Sequence, residues 1–393
     1  MFSRRLSSKL PCVALACVAA GLAGCGGRDA SMHSAPAATD PDSTPSCASR
    51  VLTLSAATVL ASANDIPGSP LALAATPAGD RFFVTWSDAY GPRAAVVGVD
   101  AQEGASVTPV DVAGLHPGSV VYDGTGFTTF LQEEGGLGVR RFDADGNALG
   151  PATTLLPTIP IGLSPVRPIL TDAGIVVTWV SDGAAPASGS PVPPALYATL
   201  VDSSGTVIQN DALLPAQFDK SYGTPPLGAV AVVAGSLLLL EQNGPAGSDA
   251  SMIALPWLGA QVVPGQVPAG RFAGGWPLMV TNGELAFAMI DPQGDAALYT
   301  GPPGGPFAAS WSLPADSFAL DVDGCGRIVD LAPGSGGAVL AASSSVAPGS
   351  SIVGTLAGGA RPAVAAIAGT TTGFGVAWTD ETGTLEFATL AWQ

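Results

Sequence analysis

Acidic and amide side chains at a recurring offset are the groups best placed to do chemistry in this 393-residue sequence. Six residues beyond each of seven apolar anchors stand Asp88, Glu133, Ser181, Asn243, Asp291, Gly334 and Asp380. Asp182 adjoins Ser181, and Glu134 adjoins Glu133. Such groups, gathered on one face by a repeat, could bind hydroxyls or cations. Paired carboxylates also drive glycoside hydrolysis, but only at a set separation, and nothing here fixes a pair. The same residue types begin turns for backbone reasons. Asp88, Glu133, Asp182, Asn243, Asp291 and Asp380 are therefore candidate ligand-face residues and turn formers at once.

The remaining chemistry is sparse. His33 and His116 are the two histidines, too few for a His-rich metal site or a Ser-His-Asp set. His116 stands beside Pro117-Gly118 and reads as a loop residue. Asp143, Asp145 and Asn147 resemble the start of an EF-hand loop, which requires Glu at its twelfth position. Thr154 stands there, so Asp143-Ala144-Asp145-Gly146-Asn147 reads as a turn, and Asp321-Val322-Asp323-Gly324 likewise. The Gly334–Gly337 stretch lacks the lysine of a phosphate loop. Tyr90, Tyr222 and Trp276 could stack on sugars or pack in turns. No catalytic set, metal site or cofactor is indicated, and the box of sialidase propellers is absent.

The first residues form a targeting segment. Arg4, Arg5 and Lys9 precede an apolar stretch from Leu10 to Leu22, too short for a bilayer, which needs roughly 20 apolar residues. It ends in Leu22-Ala23-Gly24-Cys25. This tetrapeptide resembles the lipobox of bacterial lipoproteins. The resemblance implies a signal peptide of residues 1–24, cleavage before Cys25 and acyl groups on that cysteine. Stable anchoring takes two chains, which a processed Cys25 would carry. Gly26 follows, where Asp is associated with inner-membrane retention, so the resemblance favours the outer membrane, on either face. Residues 25–50 are Ser-, Ala-, Thr- and Pro-rich and read as a disordered tether. Extended, the tether reaches roughly 80 Å at about 3.3 Å per residue.

Composition bounds the rest. The chain holds 51 glycines and 35 prolines and is only 11% charged, against about a quarter in ordinary domains. Scarce helix formers and abundant Val, Thr, Gly and Pro predict many short strands and tight turns. Arg4, Arg5 and Lys9 leave with the leader, so eleven basic residues face 31 acidic ones in the mature chain. That balance repels nucleic acid and anionic lipid. Of five cysteines, Cys12 and Cys17 lie in the leader and Cys25 takes lipid. Cys47 and Cys325 remain, a candidate disulfide in an oxidising compartment.

A repeat sets the architecture. Phe82–Trp86, Phe127–Leu131, Ile175–Trp179 and Phe374–Trp378 share an apolar anchor four residues before a large apolar side chain, and weaker copies start at Leu237, Leu285 and Ile328. Gly126, Gly174 and Gly373 directly precede three of the anchors. Successive anchors are 45, 48, 62, 48, 43 and 46 residues apart, the long step holding an insertion from Ser181 to Pro194. This period, with several short strands per unit, is that of a β-propeller. The reading is an all-β, single β-propeller of about seven four-stranded blades over residues 51–393. The last unit lacks a fourth strand, and Val51 to Leu60 is the candidate to close it. Cys47 and Cys325 would then share a face. A pair of β-sandwiches is the alternative.

The lipobox and the seven units together resemble surface lipoproteins with propeller repeats, such as those of myxobacteria. The expected function is a lipid-anchored, monomeric envelope scaffold for a protein or glycan partner, with no nucleic acid bound. The alternatives are a hydrolase or lyase of extracellular polysaccharide, and a structural part of an outer-membrane assembly complex.

Overall fold

Two short segments, β1 (Leu52–Leu54) and β2 (Thr58–Ala61), open the domain in the computed structural model. It describes residues 52–392, except 63–70, 157–166, 182–194, 216–226, 243–249, 257–263, 357–363 and shorter stretches between strands. Among the described residues there is no helix, and the strands form seven antiparallel sheets.

Sheet I holds β3 (Ala72–Ala75), β4 (Arg81–Asp88), β5 (Gly91–Asp100) and β6 (Gly104–Val110). Sheet II holds β7 (His116–Tyr122), β8 (Phe127–Glu133), β9 (Gly136–Phe142) and β10 (Thr153–Leu156). Sheet III holds β11 (Arg167–Thr171), β12 (Gly174–Ser181), β13 (Ala195–Val201) and β14 (Val207–Pro215). Sheet IV shows β15 (Leu227–Val233), β16 (Ser236–Gln242) and β17 (Ala250–Pro256). In sheet V the first position is shared by β18 (Arg271–Phe272) and β19 (Met279–Thr281), followed by β20 (Glu284–Ile290), β21 (Ala296–Gly301) and β22 (Ala308–Leu313). Sheet VI holds β23 (Ala319–Val322), β24 (Arg327–Gly334), β25 (Gly337–Ser344) and β26 (Ala347–Thr355). Sheet VII holds β27 (Ala365–Gly369), β28 (Gly373–Thr379) and β29 (Leu385–Trp392). Its outer position is filled by β1 and β2, both antiparallel to β29.

These sheets are the blades of a β-propeller. Within each, the strands run A to D from the inside outward. Each A strand packs beside the A strand of the next sheet, and β27 returns to β3, so the ring closes. Closure by the N-terminal segment matches the expectation from the sequence, with one refinement. The closing strand is split at Ser55, whose N–H donates to the Thr389 carbonyl (2.9 Å) while its hydroxyl accepts the Thr389 N–H (2.9 Å). His116 opens β7 rather than lying in a loop.

The anchors of the repeat explain the packing. They sit near the start of each B strand and fill the spaces between blades. Phe127 meets Phe83 of the neighbouring sheet at 5.2 Å between ring centres, and Phe82 meets Phe387 at 5.0 Å. All four rings are fully buried, so each contributes on the order of 2–3 kcal/mol of transfer free energy. The glycines before the anchors answer a different need. A Cβ on Gly126, Gly174 or Gly373 would collide with the carbonyl oxygen of Phe142, Val201 or Leu390, at or within two residues of the ends of the paired C strands. Gly126→Ala is expected to lower stability by about 3 kcal/mol, the upper end of overpacking costs. A denaturant midpoint unchanged from wild type would refute that reading.

Candidate functional site

Strand direction alternates within a sheet, so the A–B and C–D turns open on one face of the ring and the B–C turns on the other. The six offset positions among the described residues fall at B–C connections. Asp88 pairs with Gly91, Glu133 with Gly136, Ser181 with Ala195 and Gly334 with Gly337. Asp291 follows β20, and Asp380 follows β28. Asn243 comes directly after β16, and Asp182 directly after β12; both lie outside the described residues. The side chain of Glu133 is likewise not described. The topology thus places the described positions on one face.

What the carboxylates do there is local. Asp291 Oδ1 accepts the N–H groups of Gln293 and Asp295, each at 2.9 Å. Asp380 Oδ1 accepts those of Thr382 (2.8 Å) and Thr384 (2.7 Å) and the Thr382 hydroxyl (2.8 Å). Asp143, Asp202 and Asp323 cap turns in the same way on the opposite face: the Asp at position 1 takes the N–H groups of positions 3 and 5, and the N–H of the Gly at position 4 returns to the Asp carbonyl. The Asp-x-x-Gly-x unit is therefore a turn device used on both faces, with Gly146, Gly205, Gly294, Gly326 and Gly383 all at positive φ. Burial opposes ionisation of Asp380, but the Thr382 and Thr384 bonds outweigh it and hold the carboxyl below the usual range.

Asp88 differs. Its Oδ2 accepts from Arg93 Nε at 2.5 Å, and its Oδ1 accepts the Tyr90 N–H at 2.7 Å. Its side chain is 7% exposed while that of Arg93 is 47% exposed. The group presented at this hairpin is thus the guanidinium, with the carboxylate beneath it. Burial works against the charge on Asp88, and the Arg93 and Tyr90 bonds overcome it. The sequence reading missed Arg93; its signal was the cross-strand register of a tight hairpin, Trp86 opposite Arg93.

Glu386 was missed too. It stands opposite Trp378 across β28 and β29. Burial pushes its carboxyl up, the Asp380 charge adds to this, and a bond from Trp378 opposes it. A raised carboxyl near the candidate face is the kind of group that functional sites use.

On the other face, Asp321 departs from the simple turn reading. Its Oδ2 accepts the Gly369 N–H of the next sheet at 2.6 Å, so it ties sheets VI and VII. Cys325 lies in the A–B turn of sheet VI, its N–H bonded to Asp323 Oδ1 at 2.9 Å; Cys47 and Cys25 lie outside the described residues. Among the described residues, no three His, Cys, Asp or Glu side chains converge as metal ligands would.

No family model matches this chain, and no curated protein matches it. Solved structures do. The WD40 β-propeller domain of Doa1 is similar at 11% identity and a TM-score of 0.52, over 86% of this chain and 97% of that one. The BP39L lectin from Burkholderia pseudomallei is similar at 16% identity and 0.52, over 83% and 97%. The Cps50 (Swd1) β-propeller domain of Myceliophteria thermophila is similar at 13% identity and 0.51, over 86% and 99%. At these identities the likeness is one of fold, the β-propeller, and carries no shared activity.

Proposed function

We propose that this chain is a lipid-anchored scaffold of the bacterial cell envelope, which binds a protein or glycan partner on its B–C face. The lipobox Leu22–Cys25 supports acylation at Cys25, and Gly26 supports an outer-membrane address. The observation that carries the reading is the direction of chain entry. Leu52 pairs with Trp392 at the far end of β29, away from the B–C turn at Leu385. The domain is therefore entered from the face that holds the A–B and C–D turns, opposite the B–C face. Cys325 stands on the entry face, which favours a Cys47–Cys325 disulfide at the seam between sheets VI and VII. Propellers keep rigid blades and place function in their loops.

One experiment tests both parts. Cells making the protein are fed labelled palmitate, and a photo-crosslinking side chain replaces either Thr382 on the B–C face or Asp145 on the opposite face. The expected result is label in the wild type and none in Cys25→Ser, with a crosslinked partner from position 382 and none from position 145. Unlabelled wild-type protein would refute the anchor. Equal crosslinking from both faces would refute the binding face.

A further inference from the structure

Tyr90 is 80% exposed, the highest value among the exposed large apolar side chains described. It stands at the tip of the β4–β5 hairpin, in a loop closed by the Asp88–Gly91 pair. Its main chain is fixed on both sides: Asp88 accepts its N–H, and Gly91 takes a φ of 124° that an L side chain rarely adopts. The ring is thus displayed on a rigid support. Arg93 stands three residues on in β5, its Nε bonded to the same Asp88 carboxylate that accepts the Tyr90 N–H. A guanidinium has five N–H donors in a fixed fork, and the bonds described for Arg93 use one of them.

We propose that the Asp88–Tyr90–Arg93 hairpin is a subsite for a neutral glycan. This rests on the reading of the B–C face as the binding face, and it names the ligand class. The apolar face of a pyranose would lie on the Tyr90 ring, and two adjacent hydroxyls would accept from the Arg93 Nη groups. Asp88 positions the guanidinium from beneath.

Two observations favour a sugar over a protein. A protein hot spot sits in a well-packed pocket ringed by contacts that exclude water, whereas Tyr90 is 80% exposed and the other exposed large apolar side chains described are elsewhere: Val59 in β2, Leu149 after a C–D turn and Ile208 in β14. A lone ring flanked by a fixed donor fork suits a ligand that is apolar on one face and hydroxylated at its edge. Charge selects among glycans. A formal net charge of −17 disfavours uronates and other polyanions.

The test is calorimetric titration of the mature protein with cellohexaose, maltohexaose and mannohexaose. At least one should bind saturably. Tyr90→Ala should weaken that binding by about tenfold or more and Arg93→Lys by about tenfold, each close to 1.4 kcal/mol. Tyr90→Phe should stay near wild type, as should Asp145→Asn on the opposite face, and all variants should melt as wild type does. Absence of saturable binding to all three sugars overturns the proposal, as does binding indifferent to Tyr90→Ala. If position 382 still crosslinks a partner while no sugar binds, the glycan subsite fails and the binding face stands.

Discussion

Arg327→Met is expected to destabilise the domain by about 3–5 kcal/mol at pH 7, the cost of stranding a buried charge. Arg327 Nε and Nη2 both meet Asp323 Oδ2 at 2.6 Å, with the side chains 8% and 0% exposed. Asp323 Oδ1 meanwhile caps the turn that holds Cys325. The pair is therefore tied to the backbone of the A–B turn and cannot swing out to water when its partner is lost. Asp321 aggravates the strain. It lies two residues away, and burial of its carboxyl first, then the Asp323 charge, pushes it up to about 6 against the bonds from Val322 and Gly369. Burial pushes Asp323 up as well.

Linkage gives the pH signature. A carboxyl raised in the folded state binds more protons folded than unfolded, so its contribution to stability improves as pH falls. Between pH 7 and pH 5 the variant should therefore regain part of its loss. The turn-capping aspartates Asp143, Asp202 and Asp380 are held below the usual range, so they stay ionised there and do not mask the effect. Urea titrations at both values check this. The double variant Asp323→Asn with Arg327→Met removes the stranded charge and should recover stability over the single variant. A single variant as stable as wild type at pH 7, or one that loses further stability at pH 5, would sink the account.

The repeat made the ring legible because its cause is local. Phe82, Phe127, Ile175 and Phe374 recur where each B strand must fill the gap between blades, and the glycines before three of them recur where a carbonyl passes close. Those demands are the same in each blade, so they print a period. The closing strand was legible for the same reason, as an absence in the last unit. The bonds between blades left no such trace. Asp321 reaches Gly369, 48 residues on, and Thr371 donates to Pro77 across the seam at 2.6 Å. Each occurs once, so no periodicity marks it. The candidate ring of acids was legible in position and opaque in role. Asp, Ser and Gly at a turn look alike in sequence whether the carboxylate faces a ligand or its own backbone. Asp88 shows the difference: only the cross-strand register reveals that Arg93 covers it.

Removal of residues 1–61 is expected to leave a protein that melts about 6 °C lower and associates in proportion to its concentration. β29 would then lose both strands that pair with its outer edge. Leu54 packs on the cluster of Phe374 and Trp378, and Leu60 on that of Phe82 and Phe387, so apolar contacts go with the hydrogen bonds. Together these are worth on the order of 3–6 kcal/mol, which corresponds to roughly 4–8 °C for a domain of this size. The greater consequence is the bare edge. A row of unpaired N–H and C=O groups along β29 is a template for another chain. Light scattering should show larger species than the full-length protein gives. A synthetic peptide of residues 51–61 should restore both the melting point and the light scattering of the full-length protein, because it supplies the same register without a covalent link. Restoration would show that pairing with β29, and not attachment of the leader and tether, holds the seam. A truncated protein that stays monomeric and melts as before would mean that the ring is closed by its A strands alone, through β27 against β3.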